Sequence, residues 1–507
     1  VWHYCKSLNL YKVFDSLSAI FSAHDWLYSV LALIAVLSTL LIIIIILSEN
    51  RNPVKSLAWV TVLLLLPVVG LILYMFFGRS IKNTRMISRR SRRKLRRREG
   101  RTFSDPKSAG LTPESVQQIN LGRSLTGAQY YADNKVEVFT RGADKFDSLE
   151  RDLRQARDSI NMQYYIFEDD ETGRRIADIL AERAAAGVKV RLIYDHVGSF
   201  HVRSRFFKHL RQRGIDAQPF FKVTFPQFGT HVNWRNHRKL CIIDQTVAYL
   251  GGMNVANRYI DGGKNFASWR DTHVRVEGPV VQALQYSFIV DWNFMGGGLI
   301  EDKAVENPVL LREPRHGAVA GVGAQMLTSG PTAQWSNIAL SLHKAIANAR
   351  RRVYIQTPYF LPTEALLKAL QSAALAHVDV RLLVPERSDS VMLTHASNSY
   401  ISECLKAGIK IYQYKAGMLH SKMIIVDDEF VTIGSTNFDF RSFDYNFEAN
   451  LFFYSTEFNR RMLEVFRADI ANSERVLPEQ WHRRPMPKRM AESVLRLLSP
   501  VLEALAQ

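Results

Sequence analysis

Two histidines in this chain keep the same company. Counting each histidine as zero, a lysine follows at two (Lys239, Lys422), an aspartate at seven (Asp244, Asp427), a glycine at fourteen (Gly251, Gly434) and an asparagine at seventeen (Asn254, Asn437), so that Asn236–Asn254 and Leu419–Asn437 superpose without a gap around His237 and His420. An imidazole near neutral pH can attack as a nucleophile or pass a proton. Lysine ammonium and asparagine amide groups offset negative charge and donate to oxygen. Together they suit an ester that is already anionic, such as a phosphodiester, which repels oxygen nucleophiles until its charge is balanced. Fixed donors then stabilise the five-coordinate phosphorus of the transition state. On a strand, residues i and i+2 share a face, so each histidine and its lysine are expected to point into one pocket. A lone histidine on a strand is more often structural. A gapless duplication reaching as far as glycine and asparagine instead predicts one composite site where two lobes meet.

An imidazole that acts on phosphorus needs its second nitrogen held, usually by a carboxylate. Asp271 in SWRDTHV and Glu448 in YNFEANL both sit in apolar, strand-like runs where a charge needs a partner. Proximity in sequence assigns Asp271 to His237 and Glu448 to His420. Asp244 and Asp427 follow the apolar triplets Cys241–Ile243 and Ile424–Val426 at an odd step from each histidine, so they are expected on the opposite face, bracing a turn. Lysine beside each histidine, and the lack of a carboxylate or cysteine cluster at ligand spacing, argue against a metal centre.

The elements that carry these residues alternate. Ser159–Phe167 reads as a strand, Thr172–Ala186 as an amphipathic helix and Val188–Tyr194 as a strand. Val353–Phe360, Thr363–His377 and Val378–Val384 repeat that order with the same Val-x-Val-Arg-Leu ending, each set preceding one copy of the motif. Such units predict an α/β fold with a largely parallel, covered sheet in two similar lobes. A chain of 507 residues exceeds what one core usually serves. Cys5, Cys241 and Cys404 are too far apart to suggest a disulfide framework.

Ahead of the lobes the composition changes. Leu27–Leu47 and Leu57–Phe77 lack any charge, and the second is interrupted only by Pro67 and Gly70. Roughly 20 apolar residues cross a bilayer's hydrocarbon layer, so the pair predicts a membrane hairpin. Of the formal net charge of +18, the segment Arg79–Arg101 holds +11, with twelve Lys/Arg against Glu99. A cluster this dense beside a span should lie in the cytoplasm and attract anionic headgroups. Residues 1–24 read as an interfacial lead-in. Pro219–Phe228 is either a buried loop or a lipid-facing rim, and the amphipathic stretch Pro487–Leu502 either docks on its own domain or lies on a bilayer.

His-x-Lys-x4-Asp twice, followed by Gly-Gly-x-Asn and Gly-Ser-x-Asn, resembles the double motif of the phospholipase D superfamily. From about Arg51 onward, the stretches RNPVKSLAWVTVLLLLPVVGLILYMFFG, YYIFEDD, TPYFLP, GMLHSKMIIVDD, GSTNFDFRSFDYNFE and RRPMPKRMAESVLRLLSPVL further resemble bacterial cardiolipin synthases of the phospholipase D type. The resemblance implies two pseudo-symmetric α/β/α lobes sharing one active site. It also implies phosphatidyl transfer between two phosphatidylglycerol molecules through a phosphatidyl-histidine, with His237 as nucleophile and His420 as acid and base, and no cofactor. The expected organisation is an interfacial segment (1–24), a two-helix transmembrane hairpin (25–78), a basic juxtamembrane linker (79–128), a first lobe (129–315), a second lobe (316–480) and a C-terminal amphipathic segment (481–507). Expected partners are phosphatidylglycerol, other anionic membrane lipids and the cardiolipin product, without nucleic acid; oligomeric state is left open. The expected location is the bacterial inner membrane, multi-pass, with the lobes on the cytoplasmic side. A phospholipase D using water or another alcohol as acceptor, a tethered nuclease and an inactive lipid-binding scaffold are the alternatives.

Overall fold

Tyr130–Phe139 and Val319–Ser329 run antiparallel to each other at the middle of a fifteen-stranded sheet, and each opens one half of it. The computed structural model describes residues 103–223, 233–300 and 317–506, most of 29–46 and 53–74, and a few residues between 81 and 91. Outward from Tyr130–Phe139 the first half runs His273–Glu277, Val247–Gly251, Leu240–Ile243, Ser159–Tyr164, Lys189–Asp195 and Asp216–Phe220. The second half mirrors it from Val319–Ser329 through Glu448–Tyr454, Phe430–Gly434, Met423–Val426, Arg352–Gln356, Asp379–Pro385 and Lys410–Tyr414 to Ser473–Arg475. The predicted α/β repeat is present in both halves. Parallel pairing is confined to the outer strands that helices connect, such as Ser159–Tyr164 with Lys189–Asp195, whereas the motif hairpins pair antiparallel. The sheet is therefore mixed rather than largely parallel, because a two-strand hairpin cannot connect parallel neighbours.

Helices cover the sheet because its strands are apolar on both faces. Glu171–Ala185 and Glu364–Leu375 are the crossovers of the two repeats, started by Asp170 and Thr363, whose side chains accept from Gly173 N and Leu366 N. One core gathers strand residues of both halves, including Leu250, Val276, Leu451 and Ile433, beneath Val281–Phe294 and Thr456–Ala471, through Phe288 and Phe466. This shared core makes the two lobes one body.

The chain divides into two compact units, Val1–Ser80 with Phe225–Asn233, and Ile81–Thr224 with Trp234–Gln507. In the first unit the apolar stretch expected as a single span is two helices, Pro53–Leu65 and Pro67–Leu73. Pro67 brings no N–H, and Leu66 ahead of it leaves the helical conformation at φ −134° and ψ 69°. Among the described residues no helix is long and apolar enough to cross a membrane, so these helices do not support the transmembrane hairpin expected at 25–78. Leu27–Leu47 lies partly outside the described residues, and residues 1–24 and most of the basic run lie wholly outside them.

Of Pro219–Phe228, Phe220 is a core residue packed against Phe221, Phe294 and Phe447, and positions 224–228 lie outside the described residues. The C-terminal helix Met486–Ala506 docks on Val391–Lys406, with Arg496 pairing with Glu403 at 2.6 Å and lying over the Tyr400 ring. Its opposite face leaves Met486, Met490, Val494 and Leu497 exposed.

Candidate active site

Each motif copy is an extended lead-in, a hairpin and a return. His237 precedes Leu240–Ile243, which pairs with Val247–Gly251 before Asn254; His420 precedes Met423–Val426, which pairs with Phe430–Gly434 before Asn437. The far end of each hairpin is fixed by its aspartate. Asp244 (φ +49°) accepts from the backbone N–H groups of Arg157, Asp158 and Ser159 at 2.8–3.0 Å, and Asp427 (φ +50°) from Arg350, Arg351 and Arg352 at 2.7–3.2 Å. Both carboxylates thus lock the motif hairpin onto the start of the neighbouring strand. Neither lines the site.

At the near end the halves cross. Asn236 bridges in parallel to Phe447, with His237 N donating to Phe447 O at 2.9 Å and Phe447 N to Arg235 O at 2.8 Å. Likewise Met418–Leu419 pairs with Trp269–Arg270, and His420 N donates to Arg270 O at 2.7 Å. Glu448, one residue past Phe447, is thereby brought to His237, and Asp271, one past Arg270, to His420.

The result exchanges the expected carboxylates. His237 Nδ1 lies 2.9 Å from Glu448 Oε1, and His420 Nδ1 lies 2.6 Å from Asp271 Oδ2. The within-lobe assignment of Asp271 to His237 and Glu448 to His420 is therefore corrected. Proximity in sequence misled because the carboxylate strand of each lobe begins beside the other lobe's histidine. Both acids are fully buried and ionised. Burial pushes Glu448 up, but His237, Lys239 and the Ser435 hydroxyl outweigh it; burial pushes Asp271 up, but Lys422 and His420 outweigh that. Ser435 Oγ donates to Glu448 Oε2 at 2.5 Å. In the other copy the aligned residue is Gly252, where a Cβ would come within 2.0 Å of Asp271 Oδ1.

Lys239 and Lys422 sit behind the histidines rather than among the residues lining the cavity, which differs from the shared pocket expected of i and i+2. Each ammonium donates to the carbonyl of its own histidine, Lys239 at 2.6 Å and Lys422 at 2.5 Å, and Lys422 Nζ also lies 2.8 Å from His420 Nδ1. Their charge still reaches the site. Burial, opposed by Glu448 and assisted by Lys239, pulls the His237 imidazole down to about 4, so it is neutral at physiological pH. Burial and Lys422 likewise lower His420, while Asp271 opposes them. Burial lowers Lys422 to about 8 and Lys239 further.

With Nδ1 held, Nε2 of each histidine is the nitrogen left for substrate. Both rings line a cavity of about 480 Å³ together with Asn254, Asn437, Tyr165, Tyr259, Arg258, Trp269, Tyr359 and Asp389. Asn254 accepts from Ile166 N at 3.1 Å and donates to the Tyr259 hydroxyl at 2.5 Å. The ring of Tyr165 meets His237 edge-on at 5.1 Å, and Trp269 lies 5.3 Å from His420. The aromatic wall and Asp389 escaped the sequence reading because they lie outside the motifs; Ser435 lay inside the Gly-Ser-x-Asn signature but showed its role only through its contact. Among the described residues no cluster of three or more His, Cys, Asp or Glu is placed to hold a metal.

Comparison with known proteins agrees with this geometry. The family described as "Cardiolipin synthase, PLD-like domain" matches residues 149–292 and 342–470, one match per motif copy, and "Phospholipase_D-nuclease N-terminal" matches 36–79. The chain is 38% identical over 486 residues to the major cardiolipin synthase ClsA of Bacillus subtilis (strain 168), covering 93% of this chain and 98% of that one. It is 37% identical over 470 residues to cardiolipin synthase 2 of Bacillus anthracis, covering 92% and 90%. The crystal structure of phosphatidylserine synthase from Haemophilus influenzae Rd KW20 shares the fold, with a TM-score of 0.59 at 14% identity over 78% of this chain and all of that one. A twice-repeated motif, a sheet that mirrors itself and family matches over both halves lead to one conclusion: the chain belongs to the cardiolipin synthase family of phospholipase D-like proteins.

Proposed function

We propose that the protein joins two phosphatidylglycerol molecules into cardiolipin and glycerol, with His237 as the nucleophile. The observation that carries this reading is the pair of imidazoles on one cavity, each with Nδ1 on a buried carboxylate. Nε2 of neutral His237 attacks the phosphorus of the first lipid and the P–O bond to its headgroup glycerol breaks. His420, protonated at Nε2, gives that proton to the departing oxygen. In the second half the hydroxyl of another phosphatidylglycerol returns a proton to His420 as its oxygen attacks phosphorus, and the P–N bond to His237 breaks. One diester is broken and one made. Glu448 holds the His237 ring and balances its positive charge in the intermediate, and Asp271 holds the His420 ring as it gives up and takes back its proton. Asn254 and Asn437 bind the non-bridging oxygens, the charges of Lys239 and Lys422 behind the histidines offset theirs, and Asp244 and Asp427 keep the hairpins in place.

We take residues 129–315 and 316–480 as the two lobes, and the first unit as the means of membrane attachment. Its exposed Leu33, Leu37, Leu40, Leu41, Ile44, Leu57, Leu64 and Leu65 support this, since apolar patches of that extent mark interaction with another surface. The deciding assay supplies the purified protein with phosphatidylglycerol alone. Cardiolipin with glycerol is expected; phosphatidic acid as the only lipid product would replace the reading by a phospholipase D. Acid quench of the reaction with labelled lipid should trap phosphatidyl-enzyme in the wild type and none in His237→Ala, and loss of trapping in His420→Ala but not His237→Ala would reverse the assignment.

A further inference from the structure

A carboxylate stands where an anion-binding cavity has no use for one. Asp389 lines the cavity that holds His237 and His420. One of its oxygens accepts from the hydroxyl of Tyr359, a buried residue of the same wall. Among the described residues the other oxygen has no hydrogen bond and the carboxylate no ion-pair partner, although Arg258, Lys422 and His420 all feel its charge. A phosphate would be repelled here, so a neutral group rich in hydroxyls is the natural occupant.

The position also breaks the symmetry of the molecule. Asp389 follows the Val-x-Val-Arg-Leu strand of the second lobe by seven residues from Leu382, and the residue seven after Leu192 in the first lobe is Ser199. Ser199 is turned inward, its hydroxyl bonded to Tyr165 O at 3.3 Å and accepting from Phe167 N at 3.2 Å. Each histidine holds Nδ1 on a buried carboxylate, but the two differ in what faces the cavity, as two different half-reactions require.

Resting on the transferase reading above, we propose that Asp389, positioned by Tyr359, is the residue that selects a glycerol headgroup. Its second oxygen accepts a hydrogen bond from the free hydroxyl next to the reacting oxygen of the glycerol headgroup, turning that reacting oxygen toward His420 and keeping the entering lipid's own phosphate outside. One subsite serves both half-reactions, because the glycerol that leaves and the glycerol that enters exchange the same proton with His420. The hydroxyl proton passes to His420 as its oxygen bonds to phosphorus and the P–N bond to His237 breaks.

The test uses the full chain with a phosphatidyl-p-nitrophenol donor, whose leaving group needs no glycerol subsite. Glycerol and 1-propanol compete for the phosphatidyl group, and the ratio of the two products is read, a quantity independent of total turnover. Wild type is expected to prefer glycerol, and Asp389→Ser to lose that preference by about tenfold or more, the scale of a hydrogen bond to a charged group. Tyr359→Phe, which keeps the carboxylate, should hold the ratio within about threefold of wild type. An unchanged ratio in Asp389→Ser, no preference in wild type, or an equal loss in Tyr359→Phe would each overturn the proposal. If wild type instead makes only phosphatidic acid from phosphatidylglycerol, the transferase reading fails while the acceptor ratio still judges Asp389.

Discussion

Glu448→Gln and Asp271→Asn, compared on two substrates, test the exchange of carboxylates between lobes. Glu448 is fully buried and 2.9 Å from His237 Nδ1. Glutamine keeps its shape but removes the charge that faces the imidazolium of the covalent intermediate. Opposite charges about 4 Å apart interact by about 4 kcal/mol in a protein-like dielectric, or about three orders of magnitude in rate. On phosphatidylglycerol both variants should fall by about that much. On a p-nitrophenol donor the leaving group departs without a proton. The first half-reaction then needs His237 and Glu448 but not His420 and Asp271. A stopped-flow burst of nitrophenolate should recover to within about tenfold of wild type in Asp271→Asn and stay depressed in Glu448→Gln. The reverse pattern would mean that Asp271 serves the nucleophile, and equal bursts would mean that the histidines do not divide the work. Circular dichroism melts of both variants separate lost chemistry from lost folding.

Lys422 gives a prediction in pH. Its ammonium is lowered to about 8 by burial, so kcat/KM should fall as pH rises through that value and the charge behind the site is lost, while protonation of His237 sets in only near 4. Lys422→Arg, which stays charged, should move the alkaline limb upward, and an unmoved limb would assign it to another group. Asp244→Ala strands three backbone N–H groups and should lower the unfolding free energy by about 2–4 kcal/mol in denaturant titration, with the burst per folded molecule retained. Gly252→Ala places a Cβ against the Asp271 carboxylate and should cost turnover on phosphatidylglycerol as Asp271→Asn does, with a nearly normal nitrophenolate burst.

What the amino-acid sequence announced was local. The motif register, the turn role of Asp244 and Asp427 and the strand–helix–strand repeat depend on spacing within a few dozen residues, and spacing survives in one dimension. The partner of each histidine does not. Asp271 and Glu448 occupy corresponding places in the two lobes, so interchange leaves every local pattern unchanged. It is decided by two short parallel contacts, Asn236 with Phe447 and Met418–Leu419 with Trp269–Arg270, that carry no periodicity. The cavity wall was hidden for a related reason, since Tyr359 and Asp389 reach it from loops with no repeat counterpart of the same type. Leu57–Phe77 read as a single span because hydropathy counts residues and does not weigh the break that Pro67 makes.

The crossing of the lobes also has a consequence in time. During synthesis His237 leaves the ribosome 211 residues ahead of Glu448. At about 5–20 residues per second, the His237 imidazole waits some tens of seconds for its carboxylate. His420 waits for no such partner, because Asp271 precedes it by 149 residues. A first lobe that folds as it emerges therefore carries a motif without the means to cleave a lipid. Only when the second lobe closes the sheet does the nascent chain become an enzyme, and a fragment ending before Glu448 is expected to stay inert toward phospholipid.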